Sequence, residues 1–175
     1  RAIEAGVKCI EHGQLLDDAT LKLMAEKGVW LSLQMLQGDT ENMEPGRRAK
    51  RKPVIDAQQT IWARAKAAGV KLAWGTDILF DPKVNEEQTG FLLTLRPWFT
   101  PAEILKLATH DNAQLLALSG PRSPYPGGLG VVREGALADL ILVDGDPLAN
   151  LELIADPGRN FVVIMKDGAI VKEPR

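Results

Sequence analysis

Ala-Gly-Val-Lys-Cys-Ile-Glu-His-Gly (residues 5–13) is the stretch whose reading decides the fold. A glycine stops a helix, a valine opens a short apolar run, and the run ends on a histidine and a second glycine. The same punctuation returns at Lys-Gly-Val (27–29) and Ala-Gly-Val (68–70), and the third run ends in Trp-Gly-Thr-Asp (74–77). A helix stop feeding a strand, three times over, predicts parallel βαβ units. In a barrel of such units, catalytic residues collect where strands open into loops. His12 and Asp77 fall at two of these openings, 65 residues apart, a span that suits two repeats of roughly 30 residues or more. An imidazole and a carboxylate there could share a divalent metal, but two ligands do not complete a catalytic site.

Outward from these runs, Val7–Glu11 reads as the first strand. Asp17 or Asp18 can cap a helix over Ala19–Lys27, which Gly28 ends. Val29–Gln34 is the second strand and Val70–Trp74 the third. Between them lies a polar loop, Gln37–Lys52, followed by a helix expected to start at Pro53 and run to Ala68. An irregular stretch, Ile78–Gln88, follows Asp77. Thr100 then caps a helix with Pro101 at its first position and Glu103 in its first turn, reaching about Thr109. A separate helix is expected over Asn112–Leu118. From Ser119 the composition shifts to proline and glycine, and then to short strand material at Ala138–Val143, Phe161–Met165 and Ala169–Val171. Lys166-Asp167-Gly168 is a hairpin signal.

The 175 residues are 45% hydrophobic, enough to bury a core. Lysine and arginine number 21 against 23 acidic residues, a net charge of −2. That balance gives no reason to expect nucleic acid or an acidic membrane as partner. The single cysteine, Cys9, excludes an internal disulfide and any cysteine-rich zinc module. No apolar run is long enough to span a bilayer. The chain opens at Arg1 inside what reads as a helix, so its N-terminus reads as cut; a cytoplasmic setting is expected, with any signal peptide lying upstream.

Several segments taken together resemble the C-terminal half of the metal-dependent amidohydrolase superfamily. Ile-Glu-His-Gly (10–13) resembles its sixth barrel strand and Gly-Thr-Asp (75–77) its eighth. Ala-Thr-His-Asp-Asn-Ala-Gln-Leu-Leu-Ala-Leu (108–118) resembles the helix after the eighth strand. Leu-Gly-Val-Val-Arg-Glu-Gly-Ala-Leu-Ala-Asp-Leu-Ile-Leu-Val (129–143) and Val-Ile-Met-Lys-Asp-Gly (163–168) resemble strands of its C-terminal β-sandwich. Each motif is weak alone; their order and spacing carry the resemblance. Within the superfamily it leans toward the dipeptidase-like branch of Xaa-Pro and Xaa-Arg dipeptidases and N-acyl amino acid amidases.

The resemblance implies an α/β fold: strands six to eight of a (β/α)8 TIM-type barrel over residues 1–120, with a β-sandwich portion over 121–175. It also implies one or two zinc ions, with His12 a metal ligand and Asp77 both a ligand and the group that takes a proton from the attacking water. Zinc lowers the pKa of bound water to about 7, and a nearby carboxylate can pass the proton on to a leaving amine. The implied substrate is a small amide: a dipeptide or an N-acyl amino acid. The superfamily's first-strand His-x-His pair, fourth-strand carboxylated lysine and fifth-strand histidine have no counterpart here, so the isolated chain is expected to be inactive. The competing reading is a non-catalytic interaction or assembly module, and homo-oligomer formation is compatible with either.

Each residue also has a structural reading. A histidine before glycine can simply serve a turn, and Asp77 can cap a helix or close an Asx turn. Gln34, ending the second strand, is placed for a substrate contact or for a hydrogen bond to a loop. Glu11 is expected on the face opposite His12, packed on a helix or in a salt bridge. His110 is expected between two helices, with Asp111 and Asn112 capping the second. The basic run Arg47–Lys52 reads as a solvated face or as an attractor for a substrate carboxylate. The four tryptophans read as packing residues. Gly127, Gly128 and Gly130 lack the strand–loop–helix setting of a phosphate loop.

Overall fold

The structure is a computed structural model, and it describes residues 1–35, 43–78 and 82–173. Contacts divide the chain into two compact units, Arg1–Gly75 and Thr76–Arg175.

In the first unit, β1 (Cys9–Glu11), β2 (Trp30–Gln34) and β3 (Lys71–Gly75) form a three-stranded parallel sheet in that order. Two helices, α1 (Asp18–Lys27) and α2 (Pro45–Ala67), connect the strands. Cys9, Ile10 and Glu11 pair with Trp30, Leu31 and Ser32, and Trp30 to Gln34 pair with Lys71 to Gly75. The central strand is buried along its whole length. Leu31 and Leu33, Leu21 and Met24 of α1, and Ile61, Trp62 and Ala65 of α2 supply the core. These side chains give the unit its driving force, the leucines, isoleucine and methionine each worth about 1.5–3 kcal/mol when fully buried.

Local chemistry explains the boundaries. Asp17 caps α1 by accepting from the Thr20 amide at 2.7 Å. Gly28, left-handed at φ 64°, ends it and sends amide bonds back to Met24 and Ala25. The expected start of α2 at Pro53 is corrected: the helix begins at Pro45, and Pro53 lies inside it. Glu44 makes the earlier start by accepting from the amides of Gly46 and Arg47 at 2.8 and 2.9 Å. Pro45 suits the first position, and the arginines, lysines and alanine that follow are good helix formers. The earlier part of the expected polar loop, residues 37–42, lies outside the described residues.

In the second unit, the expected irregular stretch after Asp77 holds a short helix, α3 (Pro82–Glu86); residues 79–81 lie outside the described set. A 3-10 segment, Gly90–Leu95, packs with a second one, Leu151–Ile154, and Arg96 reaches Glu152 at 2.5 Å. Thr100 opens α4 (Pro101–Lys106) with a full capping box, Glu103 reaching back to the Thr100 amide at 2.8 Å. The two separate helices expected up to Leu118 are corrected: α4 continues through a π-turn, Leu107–Asp111, into α5 (Asn112–Leu116) without leaving helical geometry.

After α5 come β4 (Leu140–Val143), α6 (Pro157–Asn160), β5 (Phe161–Lys166) and β6 (Ala169–Lys172). The three strands form an antiparallel sheet in that order. Asp167 and Gly168 both have positive φ, 48° and 77°, the geometry that a two-residue hairpin loop favours. Asp139 secures that turn: its carboxylate accepts from Lys166 Nζ and, at 2.7 Å, from the Asp167 amide. Its carboxyl is held below the usual carboxylate range chiefly by the Lys166 hydrogen bond. Among the described residues no helix is long and apolar enough to cross a membrane.

Candidate functional site

His12 stands one residue beyond β1, at the C-terminal edge of the parallel sheet. Its amide donates to the Ser32 carbonyl at 2.9 Å, so its backbone is pinned to β2 while its side chain stays exposed. The backbone there is left-handed, with φ 66°, and Gly13 follows at φ 63°. The loop is held on two further sides. Gln14 is buried, and its Nε2 donates to the Gln34 carbonyl at 3.1 Å. Arg64 of α2 donates to the Leu16 carbonyl at 2.9 Å and to Asp18 Oδ1 at 2.8 Å. Beside His12 lies a concavity of about 440 Å³, lined also by Gly13, Gln14, Leu15, Leu16 and Val54.

Asp77 stands two residues beyond β3, with its side chain exposed and φ 55°. Among the described residues, the non-glycine positions with positive φ are His12, Asp77 and Asp167. Asp167 belongs to the hairpin turn. The other two are the residues that the sequence singles out as ligands. A β-substituted residue in this region costs of order 1–3 kcal/mol and persists only where its surroundings hold it, as they do at functional sites.

Gln34 ends β2, 7% exposed. Its main-chain carbonyl takes the loop bond from Gln14, while its side-chain Nε2 donates to Glu11 Oε2 at 3.2 Å and to Ser32 Oγ at 3.1 Å. Glu11 thus lies with Ser32 and Gln34 and takes a hydrogen bond from Gln34, where a helix contact or a salt bridge was expected. It pairs with Ser32 in the β1–β2 register, and Ser32 and Gln34 share a face by the two-residue alternation of β2. Burial works against charge on Glu11. Hydrogen bonds from Ser32, Cys9 and Gln34, together with the nearby His12, outweigh it and hold the carboxyl below its ordinary range. Cys9 donates its thiol proton to Glu11 Oε1 at 3.3 Å. Burial, and after it the Glu11 bond and charge, push that thiol up to about 12. A polar network of Cys9, Glu11, Ser32 and Gln34 thus lines this edge of the sheet. The reading of residues one by one missed it; the period-two placement of polar residues 9, 11, 32 and 34 was the available signal.

The donor types of His12 and Asp77 suit zinc. Their number does not: among the described residues no group of three or more His, Cys, Asp or Glu side chains is placed to hold a metal. His110 lies in the π-turn, where its Nδ1 meets Asp111 Oδ1 at 2.8 Å, and Lys106 also reaches that oxygen. Asp111 caps nothing, because the helix does not stop before it. The basic run lies in α2 and is mostly exposed, with Lys52 paired to Asp56 at 2.6 Å. Trp30 and Trp62 are buried, as packing residues should be.

Parallel strands joined by helices, with a histidine and an aspartate in left-handed backbone each just past a strand end, describe an α/β scaffold of the kind that carries functional residues on its strand-end loops. The chain belongs to the Amidohydrolase family, whose pattern matches residues 1–171. It is 32% identical to an ochratoxinase of Aspergillus niger over 180 aligned residues, covering 99% of this chain and 35% of that protein. Among solved structures, it is similar to a prolidase complexed with N-methylphosphonate-L-proline, at 30% identity and a TM-score of 0.82, covering 98% of this chain and 42% of that one. The crystal structure of the A. niger ochratoxinase matches with a TM-score of 0.80 and 26% identity, over 99% of this chain and 39% of that one. The chain thus spans about a third of the length of the curated relatives it matches.

Proposed function

We propose that this chain forms part of a zinc-dependent hydrolase that cleaves the C–N bond of small amides, dipeptides or N-acyl amino acids. One observation carries the reading: the two residues singled out as ligands are both held in left-handed backbone just past parallel strands. Left-handed backbone at residues with a Cβ clusters at functional sites, which supports a functional demand on both side chains. Similarity to an ochratoxinase and to a prolidase solved with a proline-based phosphonate supports an amide or peptide substrate.

In this reading residues 1–120 are the sixth to eighth strands of a barrel with their helices, and 121–175 a β-sandwich segment. Zinc, when bound, would supply a Lewis acid and a low-pKa water. His12 contributes an imidazole nitrogen as ligand. Asp77 accepts the proton of the attacking water and returns it to the leaving amine. Gln34 contacts the substrate from the end of β2. The remaining ligands come from outside the 175 residues, and the chain alone is inactive. The test joins the chain to the first five strands of such a barrel and assays zinc-supplemented hydrolysis of a panel of dipeptides and N-acyl amino acids. Turnover that Asp77→Asn lowers at least a thousandfold is expected, about 4 kcal/mol of lost transition-state stabilisation. Absence of turnover on every member of the panel sinks the reading.

A second reading, an assembly module, is favoured by apolar side chains left exposed on the antiparallel sheet: Ile141 and Leu142 on β4, Ile170 and Val171 on β6. It predicts a concentration-dependent oligomer in gel filtration; a monomer at all concentrations argues against it.

A further inference from the structure

We propose that the concavity beside His12 is the subsite for the substrate's amino-acid side chain, and that it takes an apolar side chain and rejects a cationic one. The proposal rests on the amide-hydrolase reading above and assigns the residues that read the substrate. Dipeptides and N-acyl amino acids have in common the amino acid on the nitrogen side of the scissile bond, so the side chain in question belongs to that residue.

At about 440 Å³ the concavity has the size of a small-molecule site. It lies between the loop that follows β1 and the helix α2, and Leu15, Leu16 and Val54 line it together with His12. Leu15 is 65% exposed. One exposed leucine is ordinary. Three aliphatic side chains around a hollow that also holds an imidazole have the composition of a binding site, an apolar wall with few polar groups. The walls are fixed on both sides. Arg64 ties α2 to the loop through the Leu16 carbonyl and Asp18, and Gln14 commits its Nε2 to the Gln34 carbonyl. Gly13 lets the loop lie close, since a Cβ there would fall 2.5 Å from Leu31 Cδ1 and 3.0 Å from Leu16 Cδ1. The hollow is thus formed before a ligand arrives, which limits the ordering cost of binding.

Charge decides which side chain fits. Leu15, Leu16 and Val54 offer a cation no partner. The carboxylates of the loop and of α2 are already engaged, Asp17 with the Thr20 amide, Asp18 with Arg64 and Asp56 with Lys52. Arg47, Lys50 and Arg51 precede Val54 by seven, four and three positions, so they share its helix face. A basic face beside the hollow repels a guanidinium or ammonium group and favours the free carboxylate that these substrates carry. A leucine or proline side chain meets aliphatic surface there.

The test uses the protein with its complete catalytic domain and a set of N-acetyl amino acids, so that the acyl group is constant and the side chain varies. The wild type should favour N-acetyl-leucine over N-acetyl-arginine by about tenfold or more in kcat/KM. Leu15→Asp and Val54→Asp each place a carboxylate at the hollow. Each should lower that ratio by at least about tenfold, with a gain in kcat/KM for N-acetyl-arginine that a misfolded variant does not give. Leu15→Asp changes an exposed position, so it keeps the test open if Val54→Asp fails to fold. A folded variant with an unchanged ratio overturns the proposal. So does a wild type that does not prefer leucine. Failure of the wild type to hydrolyse any amide refutes the functional reading instead, and the subsite is then read by NMR on the same protein. The methyl signals of Leu15, Leu16 and Val54 should shift on titration with N-acetyl-leucine and not with N-acetyl-arginine. An equal response to both, or shifts that follow protein concentration alone, overturns the subsite.

Discussion

Backbone conformation at His12 and Asp77 separates what these residues cost the fold from what they do. At φ 66° a Cβ is strained, and glycine is not. His12→Gly should therefore fold more stably than His12→Ala by about 1 kcal/mol, read by urea unfolding. Equal stabilities would mean that the left-handed geometry exerts no strain. The neighbouring thiol offers a pH-dependent readout. Cys9, raised from 9.0 to about 12 in the fold, is protonated in the native state where the unfolded chain has begun to ionise. Its contribution to stability is fully present below the unfolded value, about 8.5, and is lost as pH rises toward 12. At pH 8 its alkylation by iodoacetamide should be at least about a hundredfold slower in the folded than in the urea-unfolded chain. Glu11→Ala should raise the folded rate, because it removes the second cause of the shift while leaving burial, the first. Comparable folded and unfolded rates would contradict the half-buried, hydrogen-bonded thiol.

Elements were legible to the extent that local chemistry encodes them. The glycine–valine punctuation marked all three parallel strands, and Thr100-Pro101 with Glu103 marked a helix start that the structure reproduces as a capping box. Where two local signals competed, the weaker-looking one won. Pro53 looked like a helix start, yet Glu44 and Pro45 supply an earlier cap and the basic run extends the helix through it. The π-turn at Leu107–Asp111 was invisible, because one inserted residue in a helix leaves no composition signature. Its structural partner is Gly130: a Cβ there would lie 2.5 Å from the Thr109 carbonyl and 2.9 Å from Ala113 Cβ, at φ 73°. Backbone cannot yield as a side-chain tip can. Gly130→Ala should destabilise the chain by about 2–4 kcal/mol, measured by thermal or urea unfolding. A loss of less than about 0.5 kcal/mol would show that the loop and the π-turn part freely.

At the scale of the molecule, the family and the two ligand candidates could be read from residue order, because motif spacing survives where single motifs are weak. The polar network around Glu11 could not, since it depends on strand register, which pairs Glu11 with Ser32 and brings Gln34 within reach. The central claim is that His12 is a metal ligand of an amide hydrolase. Zinc content by atomic absorption, measured on the complete catalytic domain and on its His12→Ala variant, tests it most directly. The account predicts that the variant loses at least half of the bound zinc and about a thousandfold or more in amide hydrolysis, while it stays folded. Unchanged zinc content and unchanged turnover in His12→Ala would contradict it.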